Sequence, residues 1–201
     1  MKIRMKSDQR RAAIVRTAIH LFAEKGFRGA TTRELAAAAG ITEPVLYRHF
    51  RTKRDLYTAI IEAKAGEASL YAADLAQLAR RGDDREFFLA VGELVLKRYQ
   101  SDPEISRLLL FSSLERHELA DLFLDKLFLD FYKLVAAYIR RRTRAGAFQK
   151  VNPETATRGF IGMIAYHGLF SLLFPNRFPI ANRTRVVDQM VTVFLSGILT
   201  P

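Results

Sequence analysis

Residues 31–53 read TTRELAAAAGITEPVLYRHFRTK, and the fold follows from this stretch. Thr31 followed by Glu34 is a capping box: the Thr hydroxyl accepts from the Glu34 amide while the Glu carboxylate reaches back to the cap. A helix therefore starts near Thr32, with Leu35, Ala36 and Ala39 on one side. Gly40 supplies the positive φ that ends it after about two turns. Ile41 then plugs the core, Thr42 is placed to cap a second helix, and Pro44 falls in a first turn whose backbone donors have no helical acceptor anyway. Two short capped helices joined at a glycine read as a helix-turn-helix.

At about 100° per residue, Leu46 and Phe50 share the inward face of the second helix, while Pro44, Val45 and Arg48 point away and Tyr47 and His49 flank the exposed strip. A face mixing Arg, Tyr, His and small groups can enter a major groove, its sides against phosphates and its front against base edges. An ordinary surface helix is the plainer alternative, and the double cap, the glycine turn and the charge distribution weigh against it. Residues 1–54 hold 13 Lys or Arg against 4 Asp or Glu, whereas the other 147 residues hold 19 against 17. Almost all of the net charge of +11 thus sits beside the helix-turn-helix. A polyphosphate partner favours that localisation, because binding releases counterions. A membrane surface would need large apolar groups on an exposed amphipathic face, and none is evident.

These residues resemble the TetR-type transcriptional regulators. Phe22, Gly26, the TTRELA run, Gly40, LYRHF and Lys53 stand in that family's order and spacing. The match is close over about the first 55 residues and architectural beyond them, and TEPVLYRHFRTK is close to the recognition helix of the family's tetracycline-repressor branch. The resemblance implies base contacts from Arg33, Glu43, Pro44, Val45 and Arg48. It implies phosphate contacts from Thr32, Thr42, Tyr47 and Lys53, with His49 at a base or a phosphate. Glu43 is acidic where that branch has an amide, and Arg48 stands where it has an aromatic. A carboxylate accepts from cytosine N4 and an Arg forks onto guanine, so the preferred site should differ.

The 201 residues, 49% of them hydrophobic, are enough for one large core or two small domains. The absence of cysteine excludes disulfides, thiolate zinc sites and Cys nucleophiles, and is compatible with a reducing cytoplasm. The N-terminal MKIRMKSDQRR carries charge without an apolar stretch, and no run of about 18 apolar residues follows, so neither secretion nor membrane spanning is expected. Helical periodicity marks residues 7–25, with Ile14, Ala18, Leu21 and Phe22 as the buried stripe, and then 53–80, 87–99, 104–113, 119–144, 153–173 and a last helix capped by Asn182. Met1–Lys6 reads as an arm able to reach a minor groove, or as disorder. The expectation is an all-α chain of about nine helices: a DNA-binding domain over 1–52 and a helical effector-binding and dimerisation domain over 53–201.

Two long stripes mark the C-terminal helices: Phe160, Ile164, Gly168 and Leu172 on one, Val187, Val191, Phe194 and Ile198 on the other. Such faces can form a four-helix bundle with a second copy, or they can complete the core of one chain. The resemblance favours a homodimer, as does DNA geometry, since one short helix reads few bases. It also implies an effector pocket in the central helices, suited to a hydrophobic small molecule. Its candidate walls are Phe88, Phe111, Phe128 and Phe131, with Glu115, His117 and His167 as orienting polar groups. Most central aromatics must nevertheless be core. An enzyme is disfavoured: Glu115, His117 and Glu118 scatter around a helix, and no GxSxG, Walker, Rossmann or HExxH pattern occurs. No catalytic residue, metal or cofactor is expected. A helical protein-binding adaptor would leave the N-terminal basic surplus unused, and a DNA-binding protein without an effector remains the other alternative.

Overall fold

The computed structural model describes residues 7–115 and 118–200; for 67–70, 118, 119, 123 and 127 it describes the backbone alone. Among the described residues ten α-helices follow one another: α1 (Ser7–Gly29), α2 (Thr32–Ala38), α3 (Glu43–His49), α4 (Lys53–Arg81), α5 (Asp84–Ser101), α6 (Pro103–Leu114), α7 (Glu118–Phe123), α8 (Leu129–Arg144), α9 (Pro153–Leu173) and α10 (Arg183–Ile198). The expected single helix over 119–144 is a continuous helical run with a π turn at Leu124–Phe128, which accounts for the higher count. Apart from one antiparallel pairing of Phe148 with Leu199, no extended backbone pairing occurs among the described residues. His117 and the Met1–Lys6 arm lie outside the described residues.

The chain forms two compact units, one of Met1–Glu67 with Glu104–Leu127, the other of Ala68–Pro103 with Phe128–Pro201. A single cut after residue 52 therefore does not describe the packing. The first part of α4 belongs with the helix-turn-helix because Tyr57 is fully buried there, its ring 5.7 Å from Phe22 and 5.5 Å from Phe27. Its hydroxyl also holds α6: Ser112 Oγ donates to the Leu108 carbonyl at 2.9 Å, leaving Tyr57 to donate to Ser112 Oγ at 2.5 Å. On the exposed side, His20 of α1 and Glu104 of α6 meet at 2.7 Å. Ile14, Ala18, Leu35, Leu46, Phe50, Leu56 and Ile60 are also buried in this first unit.

Gly26 interrupts α1 with φ +70° and ψ 174°, a backbone conformation essentially reserved for glycine. A Cβ there would lie 2.5 Å from Glu115 Oε1. Gly40 also has positive φ, +64°, but nothing lies within 4 Å of the position its Cβ would take.

The second unit packs α5, α8, α9 and α10 around aromatic rings. Phe87 stacks on Tyr138 at 3.9 Å, and Phe88 is enclosed by Phe87, Tyr138, Phe148, Phe160 and Phe194. Burial, then the bond to Asp84, raises the Tyr138 hydroxyl well above the ordinary phenol pKa. That hydroxyl donates to Asp84 Oδ1 at 2.6 Å, and Arg142 forks onto both Asp84 oxygens at 2.8 Å each. Asp83, Asn152 and Asn182 cap α5, α9 and α10, each accepting from the amide three residues on.

The stripes expected to meet a second copy are instead the interior of this unit. Phe160, Ile164, Leu172, Val187, Val191 and Ile198 are at most 9% exposed. A Cβ on Gly168 would fall 2.3 Å from the Tyr99 ring, and Phe194 packs on Phe88 and Phe160. A stripe of large apolar residues reports only that it is buried, and here the monomer's own α5 and α8 bury it. The outward faces of α9 and α10 carry Gly159, Gly162 and Tyr166, and Val193, Ser196 and Gly197. A Cβ at any of these three glycines would meet nothing within 4 Å.

Gly26→Ala should lower stability by about 1–3 kcal/mol, read as a reduced denaturant midpoint, whereas Gly40→Ala should cost about 1 kcal/mol. Equal midpoints for wild type and Gly26→Ala would contradict the strained kink.

Candidate nucleic-acid interface

Each helix of the pair is fixed by local chemistry. The Glu34 amide donates to Thr31 Oγ1 at 3.2 Å, and Glu34 Oε2 accepts from the Thr31 amide at 2.9 Å, closing the capping box. Lys25 of α1 donates to Glu34 Oε1 at 2.7 Å. With the Lys25 ammonium as the main cause and the Thr31 donors next, the Glu34 carboxyl is held down at about 2. At the other end Gly40 N–H reaches the Ala37 carbonyl and Ile41 N–H the Ala36 carbonyl, both at 3.0 Å, which is a Schellman closure. Thr42 takes the extended cap conformation of α3, yet its side chain makes no cap bond. The Leu46 amide bonds the Thr42 carbonyl instead, and the exposed hydroxyl is left for other acceptors.

Leu46 and Phe50, 2% and 3% exposed, anchor α3. The Arg11 guanidinium lies over the Phe50 ring at 4.6 Å. With those two side chains inward, Pro44, Tyr47 and Arg48 are exposed, as are Arg33 and Thr42, while Thr32, Glu43, Val45 and His49 are half-buried. All of these α2 and α3 residues belong to the first unit. Within it Thr32 Oγ1 donates to Glu43 Oε1 at 2.6 Å, and Tyr47 Oη donates to Thr32 Oγ1 at a longer 3.4 Å.

Lys53, at the start of α4, is less open than its sequence position suggests. Its ammonium donates to the carbonyls of Phe27 and Ala30, at 2.6 and 2.9 Å, and stands 4.4 Å over the Phe27 ring. Burial pushes its pKa below the usual lysine value, while the Glu115 charge acts in the opposite sense. One of its three N–H groups remains for an outside acceptor. No spacing in the sequence signals this lock, nor the Thr32–Glu43 bond, since both join residues brought together by the fold.

The candidate effector residues divide between the units. Phe111 and Glu115 belong to the first, where Phe111 is 37% exposed and Glu115 Oε2 is buried with no hydrogen-bond partner among the described residues. Phe88, Phe128, Phe131 and His167 belong to the second. Phe88 is core, Phe131 packs against that core, Phe128 lies under the Arg98 guanidinium at 4.9 Å, and His167 is half-buried. Glu93 went unremarked at the sequence level: Arg183 Nε donates to its Oε2 at 2.5 Å, and its Oε1 is buried without a partner among the described residues. Among the described residues no cluster of three or more His, Asp or Glu could hold a metal, and no helix is long and apolar enough to cross a membrane.

An all-helical chain that presents a capped, glycine-turned pair of short helices carries a helix-turn-helix. Residues 14–60 match the bacterial regulatory proteins of the tetR family, and residues 90–197 match the C-terminal domain of AefR-like transcriptional repressors. The chain belongs to the tetR family. The tetracycline repressor protein class C of Escherichia coli is 47% identical over 53 residues, covering 26% of this chain and 24% of that protein. This chain thus spans only about a quarter to a third of the length of the tetracycline repressors and the FasR activator that it matches. Among solved structures, a transcriptional regulator from Saccharomonospora viridis in complex with choline superposes with a TM-score of 0.76 at 18% identity, covering 97% of this chain and 100% of that one. AibR in complex with isovaleryl coenzyme A and operator DNA superposes at 0.72 with 19% identity, covering 94% and 99%. Both likenesses are of fold.

Because the Glu34 carboxyl is depressed from 4.5 to about 2, its contribution to stability is present above pH 4.5 and is lost as pH falls through 2. Glu34→Gln should therefore be less stable than wild type at neutral pH, and the gap should close on acidification across that window. A gap in thermal midpoint that stays constant from pH 6 to about pH 2 would contradict the depressed carboxyl.

Proposed function

We propose that the chain is a DNA-binding transcriptional regulator of the cytoplasm. It acts as a homodimer that sets two copies of α3 into successive major grooves of a near-palindromic site and represses transcription there. The observation that carries this reading is the outward face of α3. Leu46 and Phe50 consume the inward face, which leaves Pro44, Tyr47 and Arg48 exposed, as is Arg33 of α2, in the segment of residues 1–54 whose 13 Lys or Arg against 4 Asp or Glu make up most of the chain's net charge of +11. Arg33, Glu43, Pro44, Val45 and Arg48 are assigned to base edges, and Thr42, Tyr47, His49 and the remaining Lys53 donor to phosphates. The operator DNA held by AibR supports the same use of this fold.

Dimerisation is assigned to the outward faces of α9 and α10, where Gly159 and Gly162 permit close approach and Tyr166 and Val193, 60% and 67% exposed, are apolar. A small hydrophobic effector is assigned to the second unit, on the precedent of small molecules in related regulators. To weaken DNA binding tenfold it must prefer the non-binding state by about 1.4 kcal/mol.

Fluorescence anisotropy with a duplex should show affinity falling about a thousandfold or more between 50 and 200 mM salt, as expected when two heads together neutralise six or more phosphates. A flat salt response would overturn the DNA assignment. Gly162→Arg should give a folded monomer by sedimentation, with site affinity reduced about a hundredfold. A Gly162→Arg protein that remains dimeric would remove the assigned interface.

A further inference from the structure

The Thr32 hydroxyl sits between two groups of the recognition surface, and the proton count at its oxygen limits what it can do. A threonine hydroxyl has one O–H to give and two lone pairs to receive with. Its proton is directed to Glu43 Oε1 at 2.6 Å, the short distance of a charge-assisted bond, and its oxygen faces the Tyr47 hydroxyl at 3.4 Å. A phosphate oxygen is an acceptor and requires a donor. While Thr32 holds Glu43, its side chain cannot also donate to phosphate, although its backbone N–H, at the first position of α2, still can.

The local geometry makes this bond useful. Glu43 is the first residue of α3 and Tyr47 lies one turn further along the same side. A glutamate at a helix start has three side-chain torsions to order, and a base contact is worth little if the carboxylate must be immobilised at the moment of binding. Thr32, carried by the separately capped α2, supplies a fixed point outside α3. Oε1 already accepts one bond from Thr32, whereas Oε2 keeps both of its lone pairs for a base edge. A carboxylate only accepts, so it favours the amino groups of cytosine N4 or adenine N6 and opposes the O6 and N7 of guanine and the O4 of thymine.

We propose that Thr32 is a specificity-positioning residue: its hydroxyl fixes the Glu43 carboxylate so that Oε2 selects an amino-bearing base, cytosine first, at one position of each half-site. This rests on the duplex-binding reading above and adds to it that a residue of α2, without touching a base, sets base preference.

The test is sequence selection from randomised duplexes by the full-length wild type and by Thr32→Val, Thr32→Ser and Glu43→Gln, with affinities measured against salt for selected and scrambled duplexes. Wild type should enrich cytosine at a defined position of each half-site. Thr32→Val keeps the shape and removes the hydroxyl; it should flatten that position about threefold to tenfold while leaving the salt slope and scrambled-duplex affinity unchanged. Thr32→Ser should restore the preference. Glu43→Gln should alter the same position, moving it toward adenine, which an amide can contact in two places. If Thr32→Val instead weakens binding to every sequence alike, reduces the salt slope by about one and leaves base preference intact, Thr32 is a phosphate contact and the proposal is overturned. Should Thr32→Val fold poorly, the Glu43→Gln arm still decides, because an unchanged preference at every position removes Glu43 from base reading. A wild type that binds no duplex at low salt defeats the DNA assignment itself, an outcome distinct from all of these.

Discussion

The burial of Leu46 and Phe50 is the constraint on which the rest of the head depends. A seven-residue helix is far below the length at which backbone hydrogen bonding alone sustains a helix in water. α3 exists where it does because these two side chains leave water, each worth roughly 1.5–3 kcal/mol, and because the Schellman turn at Gly40 delivers the chain to them at a set angle. Everything on the outer strip follows from that anchoring. At helical spacing, fixing positions 46 and 50 inward fixes 44, 45 and 48 outward, and the register of any base contact is thereby decided inside the protein core.

The head is more than its first three helices. Tyr57 of α4 and Ser112 of α6 form a buried polar link in the same unit that houses Phe22 and Phe27. Lys53 bonds the carbonyls that follow the Gly26 kink, and Glu115 stands against that same glycine. The α1–α2 connection, the start of α4 and the end of α6 therefore share one set of contacts. A shift in any of them is felt at carbonyls that sit immediately before α2, whose capping box begins the recognition surface.

What could be read from the sequence was the chemistry of neighbours along the chain. The Thr31–Glu34 box, the glycine turn, the Asn152 and Asn182 caps and the inward pair Leu46 and Phe50 all involve residues within a few positions of each other, where stereochemistry leaves few choices. The stripes of α9 and α10 were recognised as buried, but sequence periodicity carries no information on what buries them, and the partner proved to be the same chain. Lys53 shows the complementary limit. The family resemblance implies a phosphate ligand at Lys53, whereas its engagement by the carbonyls of Phe27 and Ala30 depends on residues 26 and 23 positions away. The π turn at Leu124–Phe128 and the Thr32–Glu43 bond have no local signature either.

The central claim is that two copies of α3, each held by the same pair of buried side chains, read one face of a duplex together. Hydroxyl-radical footprinting on a duplex chosen for tight binding tests it most directly. The account predicts two protected segments on the same face of the DNA, centred about one helical turn apart or a whole multiple of it. A single protected segment, or protection spread evenly along the duplex, would contradict it.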